Sequence, residues 1–303
     1  MKDAIITKPY LDDPSNRRLD ITNKEHHSMD CISASRIKAF LDKENYTNLT
    51  WYMTYVTREM KTEFSDATKK SMFMGTLTHL ALLEPMVFEN TVHTYPMPST
   101  ATNEFKSYVK EKIGDCIITN EGGIKAIASN EEEHYFVTPD TMTTLSKMIK
   151  NVYKNPNAMS LLDNGECETS GVVQCDITGE FLSVRDDCRG EDFILDVKKI
   201  KKLTKLKIER QIDSLRYWVQ DVHYRRVGNL IEGANRYKKF LFLFVEEEEP
   251  YQNRLVSIDL DYRKDATAKY VEALKEIKSL AITNGWEGTE KGILINRPKW
   301  GLK

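Results

Sequence analysis

Three things are scarce in this sequence, and each scarcity closes off a class of protein. Cysteine is rare: Cys31, Cys116, Cys167, Cys175 and Cys188 are the only five in 303 residues. They are odd in number, scattered and without a C-x-x-C pair, which argues for reduced thiols over a disulfide framework and against a zinc site. No apolar run approaches the roughly 18 residues that cross a bilayer, so no membrane span is expected. The opening MKDAIITKPYLDDPSNRRLD has no apolar segment behind a basic start, so neither a secretion nor a targeting peptide is indicated and the expected compartment is the cytoplasm. Excess charge is also lacking: 44 basic against 46 acidic residues leave a net charge of −2. Any affinity for nucleic acid must therefore come from a local basic patch.

The length suits one catalytic unit with its own core. Residues 1–30 are polar and aperiodic and read as an arm or tail, followed by a single domain over 31–303. Within it, 31–165 reads as a largely helical elaboration and 166–303 as a sheet core. A hydroxyl cap at Ser33–Ser35 opens a helix through Phe40 and Leu41, and a second helix is expected from about Ser71 to Leu83, halted ahead of Pro85. The middle carries a helix near Glu104–Lys112, a short strand at Cys116–Thr119 and a helix over Pro139–Tyr153. Three strands follow, at Gly171–Cys175, Glu180–Arg185 and Asp192–Val197, and turn signals between them suggest a meander. Apolar steps at Ile208, Ile212, Leu215, Val219 and Val222 predict one amphipathic helix over Thr204–Leu230. A hairpin of Lys239–Val245 with Arg254–Asp259 and a helix over Ala266–Ala281 close the domain.

The chemistry concentrates in VRDDCRGEDFILDVKK. Residues two apart on a strand share a face, so Asp196 and Lys198 project together, and so do Arg185 and Asp187 on the strand before. A turn through Cys188–Glu191 sets Asp187 beside Asp196: two carboxylates and an ammonium on an otherwise apolar sheet. Like charges so close are costly unless a cation lies between them. Hard oxygen donors suit Mg²⁺, with Mn²⁺ as the alternative, and Lys198 would orient the attacking water or stabilise developing charge in phosphodiester hydrolysis. An isolated D-x-K is more often a solvated ion pair, so the context must decide.

That context resembles the RecE-type exonucleases, within the PD-(D/E)xK and RecB-like nuclease superfamily. The family pattern of R-x-D, an apolar strand ending D-x-K, and a helix with Y-x-x-Q-x-x-x-Y is met by Arg185–Asp187, Ile194–Lys198, and Tyr217, Gln220 and Tyr224. Upstream, Gly75-Thr-Leu-Thr-His79 resembles the family's G-x-x-x-H helix, and Glu168-Thr-Ser170 its E-x-S element. Trp286 and Pro298-Lys-Trp300 echo its closing pattern, whereas Lys199-Ile200 stands where the family has two threonines. The resemblance implies an α/β (α+β) fold with a restriction-endonuclease-like core, a mixed central sheet flanked by helices and an amino-terminal helical elaboration. It implies metal ligation by His79, Asp187 and Asp196, with the Val197 carbonyl and Glu168 as further candidates, and a role for Gln220 at the metal site or on a phosphate. Gly75 would let its helix approach the sheet. Adjacent Asp186 and Asp187 leave the ligand unsettled by spacing alone, although strand parity favours Asp187.

For DNA contact, Lys198, Lys199, Lys201, Lys202, Lys205, Lys207 and Arg210 follow the catalytic strand with only Glu209 among them. Arg185, Tyr217 and Tyr224 join the candidate DNA-binding set, while Trp51, Tyr52 and Tyr55 read as core. By resemblance the substrate is linear duplex DNA, degraded 5′ to 3′ to leave 3′ single-stranded tails for recombination in a bacterium or phage-infected cell. The same source implies a ring-like homo-oligomer and a single-strand annealing protein as partner. An iron–sulfur cluster is not expected, since no cysteine follows Cys188. Two other readings stay open: an endonuclease with the same site, and an inactive nuclease fold kept as a DNA-binding module.

Overall fold

The computed structural model describes residues 17–42, 46–97, 99–233 and 235–286. Before the middle of the chain come β1 (Arg17–Leu19), α1 (Asn23–Ser28), β2 (Ile32–Ser33), α2 (Ala34–Leu41), α3 (Asn48–Tyr55), α4 (Asp66–Leu83), α5 (Pro85–Thr91) and β3 (Val92–Thr94). The middle holds α6 (Asn103–Ile113), β4 (Cys116–Asn120), β5 (Ile124–Ala128), β6 (Glu133–Val137), α7 (Pro139–Tyr153) and α8 (Pro156–Asp163). The remainder is β7 (Glu166–Gln174), β8 (Phe181–Arg189), β9 (Phe193–Ile200), α9 (Lys205–Ser214), α10 (Tyr217–Ile231), β10 (Lys239–Glu246), β11 (Asn253–Val256) and α11 (Leu260–Thr283).

The main sheet runs β1-β7-β8-β9-β10-β11, with β2 also paired to β8. The β7-β8-β9 meander is antiparallel and β10 lies parallel to β9, reached by a crossover through α9 and α10. This is the mixed α/β sheet flanked by helices that the sequence predicts. β8 forks: at its start Leu182 and Ser183 pair with β2, and at its end only Cys188 and Arg189 pair with β9. Asp187 sits where the two partners part.

Alternation along β9 and β10 builds a core on each face. Ile194, Ile200, Phe240, Phe242 and Phe244 pack beneath α2, α10 and α11. Leu195, Val197, Leu243 and Val245 pack beneath α4, α7 and α8. Strands β3, β6, β5 and β4 form a second sheet closed by α6 over Phe105 and Phe136. That sheet lies within 31–165, which is therefore not purely helical.

Three expectations need correction. Residues 1–16 lie outside the described residues, but the rest of the supposed arm is structured: β1 pairs with β7, and α1 carries a full capping box from Thr22 and Glu25. The helix expected over Thr204–Leu230 is two helices, because Arg216 takes a left-handed backbone (φ 49°) and turns the chain. Leu215, read as part of the apolar stripe, is 49% exposed at that break. Gly75 is not required by close packing, since a Cβ there would meet no atom within 4 Å.

Candidate active site

Strand β8 delivers its two aspartates to opposite faces. Asp186 is fully buried and accepts from Arg18 Nη1 at 2.6 Å, within a network that includes Tyr237 and Glu232. Asp187 faces the other way, and its Oδ2 accepts the Val197 amide at 2.6 Å, replacing the strand-to-strand bond that is lost as β9 diverges. Beyond it the alternation slips: Cys188 joins the α4 side, while Arg189 reaches Tyr237 on the Asp186 side.

His79 is held opposite by α4, a helix capped by Ser65 and anchored by buried Leu77, Thr78 and Ala81. Its Nε2 donates to the Val197 carbonyl at 3.0 Å and its Nδ1 lies 3.7 Å from Asp187 Oδ2. Glu168 of β7 enters from the third side. It has a left-handed backbone (φ 54°), an uncommon geometry for a residue other than glycine, and Arg185 Nε donates to its carboxylate at 2.7 Å. Ligand atoms of His79, Glu168 and Asp187 lie within 4.8 Å of one another. All three line a cleft of about 630 Å³ together with Gly75, Arg185, Gln220 and Tyr224.

Electrostatics match that crowding. Burial, and then the neighbouring Asp196, push the Asp187 carboxyl up to about 8, against the pull of Lys198 and the Val197 amide. Burial and Asp187 raise Glu168. Burial and the Lys198 charge lower His79, which keeps its imidazole neutral and able to ligate. Two carboxylates that resist ionising together beside a neutral imidazole are the donor set that a hard divalent cation would satisfy.

Asp196 is 1% exposed and stands outside this three-way cluster. One oxygen accepts from Gln220 Nε2 at 2.9 Å, and the other is ion-paired with Lys198. Burial alone would lower Lys198, but Asp196 and Asp187 outweigh it and hold the ammonium charged. The Lys198 ammonium also lies 4.9 Å from the centre of the Tyr217 ring. Of the predicted residues, then, His79, Glu168 and Asp187 meet directly, the Val197 carbonyl faces the imidazole, and Asp196, Lys198 and Gln220 form an adjoining chain. Tyr224 is driven well above its ordinary range by burial and then by the three aspartates.

Lys38 of α2 was not foreseen. It lines the same cleft, sits 3.5 Å from Gln220 Oε1 and 5.5 Å from the Tyr217 ring, and is pulled down to about 8 by burial and the Lys198 charge. A lone lysine on an apolar helix carries no sequence signal of this.

The basic run after β9 is less free than its sequence suggests. The parallel register sets Val245 beside Lys199 and Glu246 beside Ile200, so the acidic end of β10 faces the lysines. Lys199 pairs with Glu247 at 2.5 Å and Lys201 with Glu248 at 3.5 Å. Lys205 pairs with Glu209 at 3.7 Å. Lys202 is exposed, and Arg185 is engaged with Glu168, Ser170 and the Ile21 carbonyl. Trp51 is 2% exposed and stacks on Trp286 at 5.1 Å, with Tyr52 on the same indole, so these rings belong to the core as expected. Trp300 lies outside the described residues. None of the five cysteines is in a disulfide. Among the described residues no helix is long and apolar enough to cross a membrane.

A comparison with curated proteins found no match. Among solved structures, the chain is similar to a crystal structure from Eubacterium rectale described as a "Putative exonuclease", at a TM-score of 0.57 and 13% identity over 89% of each chain. At that identity the likeness concerns the fold. A family model matches residues 33–290, and the chain belongs to that family, described as a PDDEXK-like domain of unknown function (DUF3799).

Proposed function

We propose that this protein is a Mg²⁺-dependent DNA exonuclease that hydrolyses linear duplex DNA from its ends, 5′ to 3′, leaving 3′ single-stranded tails for recombination. The observation that carries the reading is the meeting of His79, Glu168 and Asp187 in an open cleft, with the Asp196–Lys198 pair beside it. His79, Glu168 and Asp187 would hold the cation, with the Val197 carbonyl within reach of the same imidazole and Asp196 close enough to raise Asp187. A bound divalent cation supplies charge withdrawal from the phosphate and a more acidic water.

This chain's own residues do the rest. Lys198, kept protonated by two carboxylates, orients the attacking water and offsets negative charge on the phosphate. Gln220 fixes Asp196, which fixes Lys198, so the ammonium is placed before substrate arrives. Arg185 holds Glu168 and keeps it aimed into the cleft. Lys199, Lys201, Lys202 and Lys205, with Tyr217 and Tyr224, are the proposed DNA contacts outside the reacting centre. A ring-like assembly and a single-strand annealing partner belong to this reading as its expected context.

The test uses linear duplexes labelled at either end beside covalently closed circles, with Mg²⁺ or Mn²⁺. Loss of label from 5′ ends with circles untouched supports the reading. Nicking of circles would replace it with an endonuclease, and DNA retention without cleavage under either ion would replace it with an inactive binding module.

A further inference from the structure

Cys167 on β7 and Cys188 on β8 are direct cross-strand partners. Opposed residues of an antiparallel pair project to the same face with Cβ atoms about 4.5–5.5 Å apart, and a disulfide closes once they come to about 3.5–4.5 Å. The two thiols already share a hydrogen bond, so the side chains are turned towards each other. Space is kept for this contact. A Cβ at Gly165, just before β7, would come within 2.1 Å of Cys188 Sγ and 3.1 Å of the Leu161 carbonyl oxygen, so the sulfur fills the place a side chain would take. Cys188 is fully buried and also donates to the Leu161 carbonyl at 3.8 Å, whereas Cys167 is partly exposed. A small oxidant can therefore reach one sulfur while the second waits behind it.

The pair adjoins the candidate cation site. Further along the same ladder Thr169 pairs with Asp186, so Glu168 and Asp187 stand opposite each other between the two rungs. Both belong to the cluster with His79, and the left-handed backbone of Glu168 (φ 54°) leaves it little freedom to adjust. His79 comes from α4, which is not part of this ladder. Drawing Cys167 and Cys188 together by about 1 Å shifts two donors against the third, and a small divalent cation demands near-ideal placement of its ligands.

We propose that Cys167 and Cys188 are a peroxide-sensitive thiol pair whose oxidation to a disulfide weakens cation binding at the neighbouring His79–Glu168–Asp187 cluster. The Cys167 sulfur attacks one oxygen of hydrogen peroxide, the O–O bond breaks, and the released hydroxide leaves as water with the thiol proton, giving a sulfenic acid. The Cys188 sulfur then attacks the sulfenic sulfur, the S–S bond forms, and the hydroxyl leaves as a second water with the Cys188 proton. Peroxide takes up the two electrons that the thiols give up. The consequence for the cation rests on the nuclease reading of that cluster; the thiol chemistry does not.

The full chain, freed of metal with EDTA, is treated with hydrogen peroxide or with dithiothreitol and desalted. One portion of each is alkylated and its digest mapped by mass spectrometry, and another is titrated calorimetrically with Mn²⁺. The expected result is a Cys167–Cys188 disulfide after peroxide, about tenfold weaker Mn²⁺ binding by the oxidised protein, and recovery of the reduced value after dithiothreitol. Cys167→Ser should bind Mn²⁺ as the reduced protein does and lose the peroxide effect, with circular dichroism melts to check its fold. Cys116→Ser, which removes the partly exposed thiol of β4, should keep the effect. Peroxide that leaves the two thiols unjoined overturns the proposal, and so does a disulfide with unchanged Mn²⁺ affinity. A reduced protein that binds no Mn²⁺ would sink the cation reading and with it the control of binding, whereas the disulfide in the mass map would still uphold the thiol pair.

Discussion

Gln220 Nε2 donates to Asp196 Oδ1 at 2.9 Å while the other oxygen of Asp196 pairs with Lys198, so an amide on α10 sets the position of an ammonium on β9. Gln220 is 8% exposed, which makes it part of the site's scaffold and not a solvated amide. Gln220→Ala should destabilise the fold by about 1–2 kcal/mol, because a buried carboxylate loses a hydrogen bond. Cleavage should fall more than DNA affinity. Urea unfolding and single-turnover cleavage measure the two effects, and an unchanged turnover would remove the positioning role.

Lys198→Ala is expected to lower turnover by about 10²–10³-fold while DNA affinity stays within a few-fold. Removing one member of a buried pair also leaves Asp196 uncompensated, so stability should drop by about 3–5 kcal/mol. The double variant Asp196→Asn, Lys198→Met should recover much of that stability and none of the activity. Anisotropy, denaturant melts and gel-based cleavage distinguish these outcomes.

Adjacent aspartates should fail in opposite ways. Asp186→Ala breaks the buried pair with Arg18 and should cost about 3–5 kcal/mol while leaving divalent-cation affinity nearly unchanged. Asp187→Ala should abolish cation binding, and in the cation-free chain removal of the raised carboxyl should offset part of the cost of leaving the Val197 amide without its acceptor, so stability should fall less than in Asp186→Ala. Calorimetric Mn²⁺ titration paired with thermal melts decides between the two.

Cation binding should strengthen as pH rises. The Asp187 carboxyl, held up to about 8, must lose its proton to ligate, so Mn²⁺ affinity should climb about tenfold per pH unit between pH 6 and 8. The stability effect has the opposite sign. A carboxyl whose folded value exceeds its unfolded one binds more protons when folded, so its contribution is full below about pH 4 and is lost as pH climbs through about 8. Melts without cation should therefore soften over that window, and added Mn²⁺ should flatten the decline. A cation affinity that does not change with pH would contradict this assignment of charge.

How far the site was legible depended on the range of the interaction. Asp187, Asp196 and Lys198 could be placed because strand alternation and a short hairpin are local rules. His79 and Glu168 could be reached through a resemblance, yet nothing in their spacing said that Glu168 would join His79 and Asp187 while Asp196 turned to Lys198 and Gln220. Lys38 had no signal, because it owes its setting to residues far along the chain. The break at Arg216 was missed because a regular apolar stripe ran through it.

By itself the sequence determined where α2, α6, α7 and α9 begin, where the strands of the catalytic meander lie, and that Asp187 rather than Asp186 shares a face with Arg185. Those features follow from backbone periodicity and capping within a few residues. Only the tertiary structure decided that β8 forks between β2 and β9, that Arg18 claims Asp186 across 168 residues, and that Glu247 and Glu248 face Lys199 and Lys201 at the end of β9. The physical reason is that strand pairing chooses which distant charges share a buried space, and that choice is made by packing both faces of the whole sheet at once.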